Sequence, residues 1–321
     1  MTRILAALMY AASFVSASAA FAQSWPAKPV RFVLPVGSGT SPDVIGRVLT
    51  DQLSRKLGQQ FLIENLTGGQ GLIAAQNVAR AAPDGYSYFY GGVGLVTDKL
   101  LHKSIPYDPE RDFTPVAMIY ETGTFTIAVR PDLPAKNIPD LIALAKASPG
   151  KYSYGFFAVG GPALWGPWLT HVAGINMLGV PYKAPAQLLQ DAVGGRLDMV
   201  FGSYTAVEAM TKAGKLRVIG ISAPARIATL PDIQSIAETL PGFFIGGTGV
   251  LVAPSGTPVE IIRRLNREID LLVREPAYVQ RLNAGGTTIN GAGTPESITV
   301  YLKDLRDLYG RIVRELKVQP E

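Results

Sequence analysis

Apolar residues run almost unbroken from Val30 to Leu34, give way at Pro35 to glycine and hydroxyl residues, and then recur every three or four positions from Pro42 to Leu57. The first pattern suits a buried strand and the second an amphipathic helix, so the chain reads strand, glycine-rich turn, helix. A strand at Gln60 to Asn65, a helix at Leu72 to Ala81 and a strand at Ser87 to Tyr90 follow, with Gly58 and Pro83-Asp84-Gly85 as the stops between them. Repeated strand–helix–strand order predicts right-handed crossovers and a largely parallel, doubly wound sheet, which binds ligands beyond the carboxyl ends of its strands. The turn from Pro35 to Pro42 lies at such an end.

The pattern restarts after an extended crossing segment, PVAMIYETGTFTIAVRP. A helix is expected at Ile138 to Ala147, a strand at Tyr152 to Phe157, and a second glycine-rich turn, Ala158 to Ala163, opening a helix through Leu164 to Val172. Strands at Asn176 to Val180, Met199 to Phe201 and Leu216 to Ser222 alternate with helices at Ala186 to Val193 and Val207 to Ala213. Phe243 to Ala253 reads as a return crossing, and helices at Pro258 to Arg274, Ala277 to Asn283 and Pro295 to Leu316 close the chain. The fold class is therefore α/β, with two doubly wound lobes joined by a two-segment hinge: residues 23–124 with 247–321, and residues 125–246. A hinge of that kind lets a ligand touching both lobes stabilise a closed state.

Residues 1–22 carry an early cation at Arg3, an apolar stretch from Ile4 to Val15 and small residues up to Ala20-Phe21-Ala22, the pattern of a secretory signal cut before Gln23. A periplasmic protein follows from that reading. Across 321 residues there is no cysteine, which excludes disulfides, thiolate metal sites and a cysteine nucleophile. Neither a cofactor nor a metal is expected. The net charge of +5 is mild, and the densest basic run, Arg263 to Arg281, alternates with Glu268, Asp270 and Glu275 as a solvated helix face does, so nucleic acid is not an expected partner.

Each glycine-rich turn aims backbone N–H groups and the positive end of a helix dipole at the space above it, an arrangement suited to a small anion. Neither turn contains Lys or Arg. Attraction for a carboxylate would then come from N–H groups around Ser38, Gly39, Thr40 and Ser41, helped by their hydroxyls, and around Gly160, Gly161 and Ala163, with Pro162 contributing no donor. Asp43, in the first helical turn, reads as a cap or dipole partner. Phe156, Phe157, Trp165 and Trp168 are candidates for apolar contact, with Trp168 and one of the two phenylalanines assigned to the core.

Several blocks in order, GQQFLIENLTGGQGLIAA, AAPDGYSY, IPYDPERDFTPVA, VPYKAPAQLLQDAVGGRLDMVF and LVAPSGTPVEIIRRLN among them, resemble the Bug-type periplasmic receptors of tripartite tricarboxylate transporters. The resemblance implies a type II periplasmic-binding-protein fold, no catalysis, a small carboxylate ligand and membrane transporter subunits as partners, with the receptor itself a monomer. It also implies ligand contacts in the first loop, here Pro35-Val36-Gly37-Ser38-Gly39-Thr40-Ser41-Pro42-Asp43, where Val36 stands for an aromatic residue and Pro42 for a hydroxyl. In the second loop the family's hydroxyls and histidine are missing. A Ser/Thr-rich stretch has become Gly92-Val93-Gly94, which places Val93 at the ligand, and Thr248 stands where a tryptophan is common. Asp191, in the block PYKAPAQLLQDAVGG, is a further contact candidate beside its simpler reading as a helix-surface or inter-element hydrogen-bonding group. These losses of side-chain donors point to a solute less polar than citrate, an aromatic or aliphatic mono- or dicarboxylate.

Two other functions compete. PVGSGTSPD lacks the lysine of a phosphate loop, no G-x-S-x-G elbow occurs, and His102 and His171 stand far apart, which leaves an exported hydrolase or lyase little support. A ligand sensor that presents its bound carboxylate to a membrane sensor kinase would use the same lobes.

Overall fold

The structure, a computed structural model, describes residues 25–123, 125–157, 160–227, 230–243, 245–284 and 286–320. The expected signal segment and Ala158-Val159 of the second turn lie outside them.

The chain begins with β1 (Val30–Leu34), α1 (Ser41–Leu57), β2 (Phe61–Asn65), α2 (Leu72–Ala79), β3 (Ser87–Gly91) and α3 (Gly94–Leu101). Pro42 and Asp43 start α1, Arg55 and Lys56 stand in its last turn, and Gly58, at φ 69°, ends it in the left-handed conformation. Its buried face follows helical spacing through Asp43, Gly46, Leu49, Thr50 and Leu53. At Gly46 a Cβ would come within 2.9 Å of the Ile63 side chain and 3.0 Å of the Tyr90 ring, so this glycine lets α1 lie close on the sheet. Glycines at 91, 92 and 94 hide the start of α3 from a periodicity reading, since they read as a loop.

Next come β4 (Phe113–Gly123), β5 (Phe125–Val129), α4 (Ile138–Ala147), β6 (Ser153–Phe157), α5 (Trp165–Ala173), β7 (Leu178–Tyr182), α6 (Pro185–Val193), β8 (Met199–Ser203), α7 (Tyr204–Lys212) and β9 (Arg217–Ile221). After these, β10 (Gly247–Pro254), α8 (Val259–Val273), α9 (Pro276–Ala284), β11 (Thr287–Thr288) and α10 (Pro295–Glu315) complete the chain. One sheet has the order β11-β4-β10-β3-β1-β2 and the other β7-β6-β8-β5-β9.

The largely parallel expectation holds for β1 with β2 and β3 and for β6 with β7 and β8. It gives way at β10, antiparallel to β3 and β4, at the short β11, and at β5, antiparallel to β8 and β9. Parallel neighbours need a crossover on their own sheet, whereas β5 and β10 each arrive from the other sheet. Both sheets are consequently mixed, and the chain passes between them twice.

Strand alternation sorts the cores. Phe32, Leu34, Tyr88 and Tyr90 face α1 and α8, and Val33 and Phe89 face the opposite way. That second face continues through Tyr309 and Ile312 of α10 to Trp165, Trp168 and Phe201 of the other sheet, so one apolar cluster spans both. Full burial of each such side chain contributes roughly 1.5–3 kcal/mol. A separate cluster, with Val200, Leu188 and Val207, fills the far face of the second sheet.

Candidate functional site

The turn after β1 is held by an acid from the helix it starts. Gly39, at φ 82°, donates its N–H to Asp43 Oδ2 at 2.9 Å, and Asp43 also accepts from Arg47 at 3.0 Å and from Asn65 Nδ2 at 2.9 Å. Burial pushes the Asp43 carboxyl up, but the bonds from Arg47, Gly39 and Asn65 together outweigh it and hold the group below the usual aspartate range. Asn65 Nδ2 also donates to Val36 O at 3.0 Å, while Ser38 Oγ donates to Asn65 Oδ1 at 2.9 Å. Thr40 spends its hydroxyl on Gly37 O at 2.8 Å. Helix geometry leaves the N–H groups of Ser41 and Asp43 without intrahelical acceptors, and Pro42 has none.

The second turn is built differently. Gly160, at φ 59° and ψ −151°, leads into a 3-10 turn at Gly161–Leu164 in which Ala163 N–H returns to Gly160 O at 3.0 Å. Gly161 is buried: a Cβ there would meet Val93 Cγ1 at 2.6 Å and Thr97 at 3.4 Å, both at the start of α3. The helix expected from Leu164 accordingly begins at Trp165, after this tighter turn.

Between the sheets opens a cavity of about 690 Å3. From the first sheet's side, Gly39, Thr40, Ser41, Val44, Ile45 and Val48 of the first turn and α1 line it, together with Tyr120, and with Tyr278, Arg281 and Leu282 of α9. From the second come Phe125, Phe156, Phe157, Trp165, Leu188 and Phe201, with Pro162, Ser203 and Thr205 adding to the wall. Phe125 and Trp165 meet edge to face at 3.8 Å between ring centres, with Phe201 at 6.5 Å from Trp165. The Trp165 indole N–H donates to the Tyr309 hydroxyl at 2.9 Å, fixing α5 to α10 across the two sheets. His171 and Glu315 make a second, exposed link at 3.2 Å.

Among the sequence-predicted contacts, the cavity brings together Gly39, Thr40, Ser41, Phe157 and Pro162. The others lie outside its wall. Val36 packs on the core behind the turn, and Ser38 is tied to Asn65. Val93 is buried against Gly161, and the carbonyl of Gly160 is satisfied by Ala163 N–H, which removes that donor from a second cradle. Asp191 accepts from the Tyr182 hydroxyl at 2.8 Å and from Arg196 at 2.6 Å, joining α6 to β7. Those bonds hold its carboxyl below the usual range. Trp168 is buried and stacks on His171, and both Phe156 and Phe157 reach the cavity because β6 ends there. Thr248 is buried too, its hydroxyl donating to Tyr120 O at 3.3 Å.

Residues 45–317 match the profile of the tripartite tricarboxylate transporter family receptor. The chain belongs to this family. This receptor is 33% identical over 325 residues to a UPF0065 protein of Bordetella bronchiseptica, covering 99% of this chain and 94% of the relative. It is 31% identical to BugT of Bordetella pertussis, covering 98% of each chain. The solved structure of R. palustris Rpa4515 with adipate aligns at a TM-score of 0.82 and 29% identity, over 92% of the receptor and 100% of that chain.

Sequence reasoning missed several of the receptor's wall residues, above all Arg281. Tyr278, Arg281 and Leu282 stand at helical spacing and share one face of α9, which is the signal available in the sequence. Among the described residues Arg281 is the one charged side chain in the wall and has no ion pair or hydrogen bond there. Arg281 is exposed, as the solvated-face reading expects, and it borders the cavity as well. No helix of the described residues is long and apolar enough to cross a membrane.

Proposed function

We propose that this chain is a non-catalytic extracytoplasmic receptor that holds a small carboxylate between its lobes and presents it to the membrane subunits of a tripartite tricarboxylate transporter. The observation that carries this reading is a cavity walled by both sheets, beside the amino end of α1. In a receptor of this family such a cavity fits capture by closure, with residues 23–124 and 247–321 moving as one lobe against residues 125–246. The adipate in the R. palustris structure supports a carboxylate of modest polarity. The aliphatic and aromatic wall supports the same preference, because each extra hydroxyl buried there without a partner would cost about 1 to 3 kcal/mol. Residues 1–22 act as the cleaved export signal, and the secreted receptor works as a monomer without cofactor.

A thermal-shift panel of aliphatic, aromatic and hydroxylated acids beside their amides tests binding. A ligand at 100 times its Kd adds about 2.7 kcal/mol of stability. Acids should raise the melting temperature and amides should not; response to citrate alone would reverse the polarity argument. Deleting the gene should abolish uptake of the labelled acid in the source organism. Uptake that persists at full rate would remove the transport role.

A further inference from the structure

Among the described residues the wall of the cavity carries one fixed charge, and none of those residues neutralises it. On the preceding helix α8 and at its end, Arg267 approaches Glu268 at 3.8 Å and Arg274 pairs with Asp270 at 2.8 Å, while Arg264 lies over the Trp25 ring. Arg281 stands one turn beyond Tyr278 on the face of α9 that borders the cavity. A guanidinium offers a planar fork of donors that matches a single carboxylate.

Beyond Arg281 the described wall offers an anion only uncharged donors, the Ser41 N–H and hydroxyl at the amino end of α1 foremost. At the first turn Gly39 N–H is committed to Asp43, whose own carboxylate sits there ionised, and Thr40 N–H turns back toward Gly37 O at 3.5 Å. The second turn contributes Pro162, which has no N–H. Opposite stand Phe125, Trp165, Phe201 and Leu188, suited to an apolar body. At about 690 Å3 the space holds roughly twenty water-sized groups, and a four-carbon diacid would leave most of it empty.

Building on the carboxylate-receptor reading, we infer that the ligand is an amphipathic monocarboxylate with a bulky apolar body, of the arylalkanoate or medium-chain fatty acid class, whose carboxylate is gripped by Arg281. Arg281 thereby sets specificity for one negative charge per ligand. Its body lies against the aromatic wall of the second sheet, and the hydroxyls of Ser41, Ser203 and Thr205 remain for water or for a single polar substituent.

Titration calorimetry on the mature chain and on Arg281→Gln and Arg281→Lys, with 4-phenylbutyrate, decanoate, decanamide, adipate and sebacate as probes, decides the matter. Because the Arg281 side chain is exposed and makes no bond to another described residue, the variants should keep the wild-type melting temperature. At least one monoacid should bind wild type at least tenfold more tightly than sebacate or adipate does. Loss of the charge-assisted pair in Arg281→Gln should weaken it by about tenfold to a hundredfold, with Arg281→Lys in between. Tighter binding of either diacid, or monoacid affinity unchanged in Arg281→Gln, overturns the inference and leaves the carboxylate reading standing. Decanamide binding as tightly as decanoate, or no acid binding at all, brings down both.

Discussion

The two glycine-rich turns look alike in sequence, each following a strand and opening a helix, yet they do opposite work. The first is stiffened from behind by Asp43, Arg47 and Asn65 and leaves Gly39, Thr40 and Ser41 facing the cavity. Its partner folds onto itself as a 3-10 turn whose Gly161 is pressed against Val93 and Thr97 at the start of α3, at a contact between the lobes. Composition is shared; what differs is which neighbour the fold brings up. Beside the cavity Gly39 supplies a left-handed turn at φ 82°, and at a packed contact a glycine supplies the absence of a Cβ.

The largest expected effect breaks the second turn. Gly161 has no positive φ, so its backbone tolerates a side chain and the obstacle is space alone, with Val93 Cγ1 2.6 Å from where a Cβ would sit. Gly161→Val should cost about 3 kcal/mol in urea unfolding, at the upper end of the usual overpacking range. Adding Val93→Ala should recover a large part of that, as a double-mutant cycle would reveal. Additive costs would mean that the contact between the lobes is not what requires the glycine.

The first turn is expected to break through charge. Asp43→Asn keeps the shape but replaces an acceptor of three donors with a group that donates at one end, leaving Gly39 N–H or Arg47 unmatched, at about 1 to 2 kcal/mol near neutral pH. The folded-state pKa of Asp43 lies below its ordinary value, so its contribution is complete above the ordinary aspartate range and is lost as pH falls through the folded value. The stability gap between wild type and variant should therefore be constant from pH 8 to about 5 and narrow below about 4. A gap that widens in acid would contradict the assignment of Asp43 as the ionised anchor.

How much of this was legible beforehand divides along the range of the contacts. Strands such as Val30–Leu34 and helices such as α1 are local patterns of apolar spacing and turn residues, and the sequence displays them directly. The direction of β5 and β10 was not displayed, because it depends on where a strand enters from. Arg281 belongs to the same class of problem: its helical face is readable, but only residues more than 75 positions away, such as Ser203 and Phe201, turn that face into the side of a cavity. Gly161 failed to read as a packing residue since its neighbour Val93 lies far away in the chain, against the other sheet.

The smallest effect separates neighbours within one turn. Ser38 and Ser41 are three positions apart and both carry hydroxyls, but Ser38 Oγ points back to Asn65 while Ser41 lines the cavity. Ser38→Ala removes one exposed side-chain bond and should change stability by no more than about 0.5 kcal/mol. Carboxylate affinity, measured by calorimetry, should be unchanged in Ser38→Ala and reduced a few-fold in Ser41→Ala. Equal losses in the two variants would mean that the turn reorients when the ligand arrives, and that the division between its cavity side and its anchored side does not survive binding.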